Sequence, residues 1–328
     1  MKISVCIPVR NEEGSIRRLL DGLFRQTRRP DEIVITDGGS RDATPEIIEE
    51  YVRQGKPVRL IREREALPGR GRNLAAAIAT SEWLAFIDAG VYPAEDWLAS
   101  LAECVERDEE VKAVYGGWEP AADSFFKECA AIAYAYVPTK EVNEEFVRSR
   151  FIASSLIHRS VWERVGGFSE RLRSAEDLLF MQSVDETGAR VAYAPGAAVL
   201  WSMPPTFWRT FKRFVTYSRH NLRAGFGRGW QAAIFTRYGL LLLCALAASA
   251  FTRHWIVVTA ALWLLMLLAR SVIALWRNRR YYPAGLGRNT LRVFVLVPLL
   301  ATLDLATILG TLDWVVRDRM GRAEGVNN

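Results

Sequence analysis

Three apolar runs toward the C-terminal end, Tyr238 to Phe251, Trp255 to Trp276 and Val293 to Val316, constrain this chain more than any other feature. A helix needs about 20 apolar residues to cross the hydrocarbon core of a bilayer. The second and third runs meet that length, and the first meets it by borrowing residues 230 to 236 and letting Arg237 snorkel. Three membrane segments are expected rather than buried core helices, because tryptophans at 230, 255, 263, 276 and 314 fall mostly near segment ends, as interfacial anchors do. Arg277, Arg279, Arg280, Arg288 and Arg292 separate the second and third runs. Basic loops stay on the cytoplasmic side, which turns Thr252-Arg-His254 outward. The third run fits two courses. Crossing carries Arg317, Arg319 and Arg322 outward, whereas Pro298, Asp304 and Asp313 suit a re-entrant or interfacial path. Arg270 and Asp304 are ionisable at membrane depth, which is costly unless they pair with each other or line a polar cavity.

The charge follows the same division. Of 43 Lys and Arg against 37 Asp and Glu, residues 1 to 186 hold 25 and 33, so the first part is acidic and the remainder strongly basic. Between Glu186 and Asp304, 117 residues carry 15 Arg and Lys and no acidic residue. Within that stretch, Phe207, Phe211, Phe214, Val215 and Leu222 recur at helical spacing among Arg209, Lys212, Arg213, Arg219 and Arg223, the pattern of an interfacial helix on anionic lipid. With apolar segments next to it, lipid phosphates and not nucleic acid are the expected anions. Cys6, Cys104, Cys129 and Cys244 lack the paired spacing of a zinc or redox motif and read as buried thiols in a reducing compartment. The N-terminal apolar stretch is too short and interrupted for a signal-peptide core, so the first part is expected in the cytosol.

Residues 1 to about 200 alternate short apolar runs with amphipathic stretches. Ile3 to Val9, Glu32 to Asp37, Val58 to Glu63 and Trp83 to Asp88 read as strands, each followed by a helix signal, which predicts an α/β domain with a mostly parallel sheet wrapped by helices. Ligands of such sheets sit beyond the carboxyl ends of the strands. Candidate ligand-facing residues gather there: Pro8, Arg10, Asn11 and Glu12 at and after the end of the first strand, and Asp37, Gly38 and Ser40 at and after the end of the second. Pro68-Gly-Arg-Gly-Arg-Asn73 opens a helix with two guanidinium groups, Arg70 and Arg72, near an N-terminus suited to phosphates, but without the spacing of a P-loop or dinucleotide fingerprint. Asp88 ends a buried strand, where a carboxylate needs a cation or a donor. Glu176 and Asp177 stand at a helix start, before a returning strand over Gly188 to Pro195.

In this order PVRNEE, TDGGSRDAT, GRGRN, FIDAG and GGFSERLRSAED resemble the family 2 glycosyltransferases over residues 1 to about 200. The layout, with membrane segments behind, is similar to polyprenyl-phosphate glycosyltransferases. The resemblance implies a GT-A fold, a UDP- or GDP-linked sugar donor, a divalent Mg²⁺ or Mn²⁺ on Asp88, a base contact at Asp37 and diphosphate contacts at Arg70 and Arg72. It implies a catalytic carboxylate at Asp177, beside Glu176, as in inverting members. Pro8, Arg10, Asn11, Glu12, Gly38, Ser40 and Asn73 complete the expected donor-binding set. The sequence departs from the family at three places. Asp88-Ala-Gly90 stands where Asp-x-Asp is usual. Trp201 stands where a histidine often follows the last strand, leaving His220 as a substitute metal ligand. The Gln-x-x-Arg-Trp of processive synthases is absent, which implies single transfers.

The domains expected are a glycosyltransferase domain over 1–202, a basic juxtamembrane segment over 203–232, membrane helices over 233–316 and a polar tail over 317–328. The expected setting is an inner (plasma) membrane with the catalytic domain facing the cytoplasm. The acceptor is then a polyprenyl phosphate or a lipid-linked glycan. Two other readings stand beside it: a nucleotide-sugar-binding membrane scaffold with little or no turnover, and a nucleotidyltransferase, which the late Glu176-Asp177 element fits less well.

Overall fold

A computed structural model describes residues 1–135, 140–142, 145–147, 150–227 and 229–320; Arg322 and the rest of the expected tail beyond 320 lie outside the described residues. In chain order the elements are β1 (Ile3–Val9), α1 (Ile16–Phe24), β2 (Glu32–Asp37), α2 (Thr44–Arg53), β3 (Val58–Arg62), α3 (Pro68–Ile78), β4 (Trp83–Phe86), β5 (Val91–Pro93), α4 (Trp97–Arg107) and β6 (Val111–Ala121). There follow α5 (Phe125–Tyr134), β7 (Lys140–Val142), β8 (Glu145–Val147), β9 (Ser155–His158), α6 (Arg159–Val165), α7 (Glu176–Glu186) and β10 (Arg190–Ser202). The last helices are α8 (Phe207–Arg223), α9 (Trp230–Phe251), α10 (Trp255–Arg277) and α11 (Leu286–Trp314), the last continued by a π-helical turn at Val315–Met320. They form two compact units: Met1–Ala121 with Pro138–Ser202, and Ala122–Val137 with Met203–Asn328.

The first unit is built on a sheet of order β3-β2-β1-β4-β9-β6-β10-β5. The β3-β2-β1-β4 ladder is parallel, as is β6 with β10, while β9 and the edge strand β5 run antiparallel to their neighbours. A sheet covered on both faces needs continuously apolar strands. ISVCIPV in β1, EIVITD in β2 and WLAF in β4 meet that demand, and nearly every residue in them is buried. The helices cover the sheet with narrow apolar faces, as α1 does with Ile16, Leu19, Leu20 and Leu23 at three- and four-residue spacing. The returning strand is longer than its sequence signal, running to Ser202, because its second half pairs with both β6 and β5.

The second unit holds the apolar helices. Three of its helical stretches, 231–251, 255–277 and 286–319, are long and apolar enough to cross a bilayer. The amphipathic α8 begins where Thr206 accepts a hydrogen bond from the Arg209 amide, and it packs along α11. Phe214 meets Leu303 and Ala306 there, and Ser218 Oγ donates to the Thr307 carbonyl at 2.9 Å. Two of its five basic residues are already spent: Arg219 pairs with Asp313 at 3.0 Å and Asp318 at 2.9 Å, and Arg223 reaches Asp318 at 3.5 Å. The start of α11 is likewise anchored, since Arg288 and the buried Arg292 in its first two turns both bind Glu128 of α5. Arg270 and Asp304 form the mutual pair, bidentate at 2.5 and 3.0 Å.

Gly116 in β6 marks the tightest approach in the first unit. A Cβ there would stand 2.1 Å from Ser154 Oγ and 2.3 Å from the Ala197 carbonyl oxygen, and the backbone oxygen cannot turn away. Overpacking of this kind costs about 1–3 kcal/mol. Gly116→Ala is therefore expected to lower the melting temperature of the purified protein by several degrees, with an unchanged melt counting against this account.

Candidate active site

The site forms where the carboxyl ends of β1, β2 and β4 face the first turns of α3 and α7. On the β1–β2 side the loops tie each other down. The Asn11 amide donates to Ser40 Oγ at 2.8 Å, and the Arg41 amide donates back to Asn11 Oδ1 at 2.8 Å. Asp37, almost fully buried, receives the Ser40 amide at 3.2 Å on each carboxylate oxygen and Ser40 Oγ at 2.5 Å. Gly38 is required at the turn because a Cβ would stand 2.6 Å from the Ala66 carbonyl oxygen. These contacts border a cavity of about 200 Å³ lined by Pro8, Arg10, Thr36, Gly38, Leu67 and Gly71, with Arg173 at its margin. Thr36 Oγ1 is buried in that wall without a hydrogen-bond partner. A ligand group that offers one donor or acceptor to Thr36 would satisfy that hydroxyl.

Beyond it lies a buried charge cluster. Arg72 is 2% exposed. Its Nη2 donates to Asp88 Oδ1 at 2.6 Å and its Nη1 to Glu176 Oε1 at 2.7 Å, joining the segment after β4 to α3 and α7. Burial by itself lowers the affinity of this guanidinium for its proton, but Asp88, Glu176 and Asp177 more than reverse that and hold it firmly charged. Asp177, in the first turn of α7, keeps part of its surface accessible. Burial of its carboxyl, then repulsion from Glu176, pushes it up from 3.8 to about 7 despite the opposing pull of Arg72. Its Oδ1 accepts the Leu178 amide at 2.9 Å. Glu176 Oε2 and Arg72 Nε are buried without partners, so the cluster retains unmet hydrogen-bonding capacity.

The two arginines expected near the diphosphate separate. Residues 70 and 72 lie on opposite sides of α3, since two residues turn a helix by about 200°. Arg72 enters the carboxylate cluster, while Arg70 binds Glu63 at 2.8 Å and Glu170 at 3.0 Å on the surface. Asn73 is spent on the loop after α6, donating to the Phe168 carbonyl and accepting the Phe168 amide. His220 lies in α8, in the other unit, and is buried there. Sequence reasoning missed Thr36 and Arg173. Thr36 looked like one more strand residue, and its only signal was its place directly before Asp37.

Gly90 carries a φ of +80°, and a Cβ built on it would stand 3.7 Å from Glu12 Oε2. The carboxylate of Glu12 thus faces the space that an aspartate side chain at 90 would enter. Among the described residues no group of three or more His, Cys, Asp and Glu is arranged to hold a metal ion. Magnesium is commonly held by one or two carboxylates together with substrate phosphates rather than by an all-protein cage. Asp88, 30% exposed and bound to Arg72 through one oxygen, keeps its other oxygen for such a cation.

The profile of Glycosyl transferase family 2 matches residues 4–169, just over half of the chain. The chain belongs to that family. It is 27% identical over 217 residues to the pre-mycofactocin glycosyltransferase of Mycobacterium tuberculosis, covering 60% of this chain and 42% of that protein. It is 30% identical over 197 residues to the poly(ribitol-phosphate) beta-N-acetylglucosaminyltransferase TarS of Staphylococcus aureus, covering 55% and 32%. The match to the O-antigen chain rhamnosyltransferase RfbN of Salmonella typhimurium is 25% over 228 residues, covering 65% and 70%. The chain thus spans less than half the length of the first two relatives. Among solved structures, the mannosyltransferase PcManGT from Pyrobaculum calidifontis, in complex with GDP-Man and Mn²⁺, superposes with a TM-score of 0.57 at 19% identity, over 97% of this chain and 88% of that one. That likeness shows a GT-A-like fold.

The raised Asp177 has a stability consequence. A carboxyl that binds its proton more tightly folded than unfolded gives stability that is fully present below the unfolded value and is lost as pH rises through the folded one. The window runs from 3.8 to about 7. Asp177→Asn, which cannot ionise, is expected to melt above the wild type at about pH 8, with the difference shrinking toward about pH 4. Equal melting curves at both ends would show that the carboxyl is not raised.

Proposed function

We propose that this family 2 member is an inverting, non-processive glycosyltransferase that moves one sugar from a UDP- or GDP-linked donor to a membrane-associated acceptor. The observation that carries the reading is the Asp177 carboxyl, lifted into the range where a proton can be taken near neutral pH and set beside the Arg72–Asp88 pair. Asp37 and Thr36 hold the nucleobase and ribose side, and Pro8, Arg10, Asn11, Glu12, Gly38 and Ser40 shape that slot. Arg72 neutralises charge beside the diphosphate and fixes Glu176, which positions the first turn of α7 instead of meeting substrate. Asp88 with Glu12 would hold Mg²⁺ or Mn²⁺, which when bound supplies Lewis-acid neutralisation of the leaving diphosphate. Asp177 then orients the attacking oxygen and takes its proton where the acceptor is a hydroxyl. A phosphate acceptor is already ionised, so toward it Asp177 only orients.

A polyprenyl phosphate or a lipid-linked glycan is the acceptor class favoured by the three apolar helices and by the exposed aromatic and basic surface of α8, where Trp208 is 61% exposed. The same features favour a multi-pass place in the inner membrane with the catalytic unit in the cytoplasm. A second reading keeps one specific observation in its favour: Gly90 removes a carboxylate from the usual pair, which suits a scaffold that binds nucleotide-sugar without turning it over.

Radiolabelled donors incubated with the purified chain and membrane lipids, with and without EDTA, decide between the two. Labelled lipid is expected, and donor binding without product would support the scaffold. With a hydroxyl acceptor, transfer is expected to rise with pH through about 7 and to fall by at least about 100-fold in Asp177→Asn. Full activity of that variant would remove the base assignment.

A further inference from the structure

The second unit carries a charge imbalance that the proposed transfer does not use. Asp304 of α11 is 1% exposed and both of its oxygens are engaged: Arg270 of α10 binds the two, and the Tyr238 hydroxyl of α9 adds a contact at 3.2 Å. Trp263 Nε1 in turn donates to the Tyr238 oxygen at 3.2 Å, which fixes the phenol. Arg237, next to Tyr238 on α9, comes no closer to Asp304 than 3.7 Å, and its Nε is buried without a partner. Among the described residues Asp304 is the one acidic group that pairs with either arginine. Two guanidiniums therefore share one carboxylate, and one positive charge is left over.

The depth of that charge limits what neutralises it. Arg237 lies seven residues after the start of α9 and Arg270 seven before the end of α10. At 1.5 Å per residue both stand about 10 Å along the apolar helices from the same end of the hairpin. An unneutralised guanidinium at such depth is expensive, and it survives by reaching water or an anion. Arg237 and Arg270 keep 33% and 22% of their side-chain surface open, so an anion has access. Gln231 is a second polar group that lacks a partner: it is 2% exposed, both of its amide atoms are unbonded, and it falls two turns before Tyr238 on the same side of α9.

We propose that Arg237 and Arg270 form a binding site for the phosphate of an anionic lipid, with a phosphate monoester headgroup as the preferred chemistry. A monoester brings no cation of its own, unlike a zwitterionic headgroup, and its oxygens match the forked donors of a guanidinium. Asp304 holds Arg270 in place and lowers the total charge so that one lipid, not several, is retained. The inference rests on the membrane setting proposed above and deepens it by placing the lipid phosphate at named residues.

The test uses the full chain in nanodiscs of phosphatidylcholine containing a minor share of phosphatidic acid, a monoester, or of phosphatidylglycerol, a diester. A third arm adds inorganic phosphate to the phosphatidic acid discs. Lipid retained on transfer to detergent is counted by native mass spectrometry, and folding is followed by melting temperature. The wild type is expected to retain phosphatidic acid over phosphatidylglycerol. Arg237→Gln is expected to lose roughly tenfold in retention, the effect of one charge-assisted contact, while Arg237→Lys keeps most of it. Asp304→Asn frees the second guanidinium and is expected to raise retention, the opposite of what a purely structural ion pair predicts. Unchanged retention in folded Arg237→Gln overturns the site. Full displacement by inorganic phosphate overturns the lipid as its ligand. Transfer activity is not the readout, so an inactive wild type that still shows the pattern would overturn the catalytic reading alone.

Discussion

The Arg72 guanidinium is the contact on which the candidate site of the first unit is organised. It is buried among three carboxylates contributed by two different elements, and without it Asp88, Glu176 and Asp177 would repel each other in a poorly solvated space. Removing one partner from such a buried arrangement costs about 3–5 kcal/mol, because the remaining charges stay behind without compensation. The same guanidinium sets different roles for neighbouring acids. Glu176 is bound and fixed, while Asp177, one residue on, receives too little of the positive charge to offset burial and so holds a proton near neutral pH.

The second unit solves a similar problem with the opposite sign. There a single buried carboxylate, Asp304, answers to two arginines from two other helices, and the surplus is positive. In the first unit the surplus is negative; among the apolar helices it is positive. The chain-wide division between an acidic first part and a basic remainder thus reappears at the scale of single side chains. Part of the basic charge is nevertheless already paired, since Arg219, Arg223, Arg288 and Arg292 are held by Asp313, Asp318 and Glu128.

Much of the architecture was legible because its signals are local. The strand over Ile3–Val9, the helix opening at Pro68 and the three apolar helices each follow from a run of neighbouring residues. The positions of Asp37, Asp88 and Asp177 at strand ends and a helix start were legible for the same reason. The division of labour between Arg70 and Arg72 was not. Both belong to one short motif, and only the turn of α3 against β4 and α7 sends one inward and leaves the other with Glu63 and Glu170. The open cavity wall at Thr36 was equally silent, because a missing hydrogen bond depends on every neighbour at once.

The sequence by itself determined the family, the order of the motif-bearing elements, the length of the apolar helices and the absence of a second aspartate at Gly90. These are carried by residue types at fixed spacing, which chain-local geometry translates directly. The tertiary structure decided that Glu12 faces the space Gly90 leaves open, that Arg72 binds Glu176 rather than Asp177, and that Asp304 takes Arg270 at 2.5 Å while Arg237 reaches it only at 3.7 Å. Those outcomes turn on distances of a few ångströms between residues far apart in the chain. Burial and Coulomb interactions there depend on where the backbone folds back, which no spacing within a motif encodes.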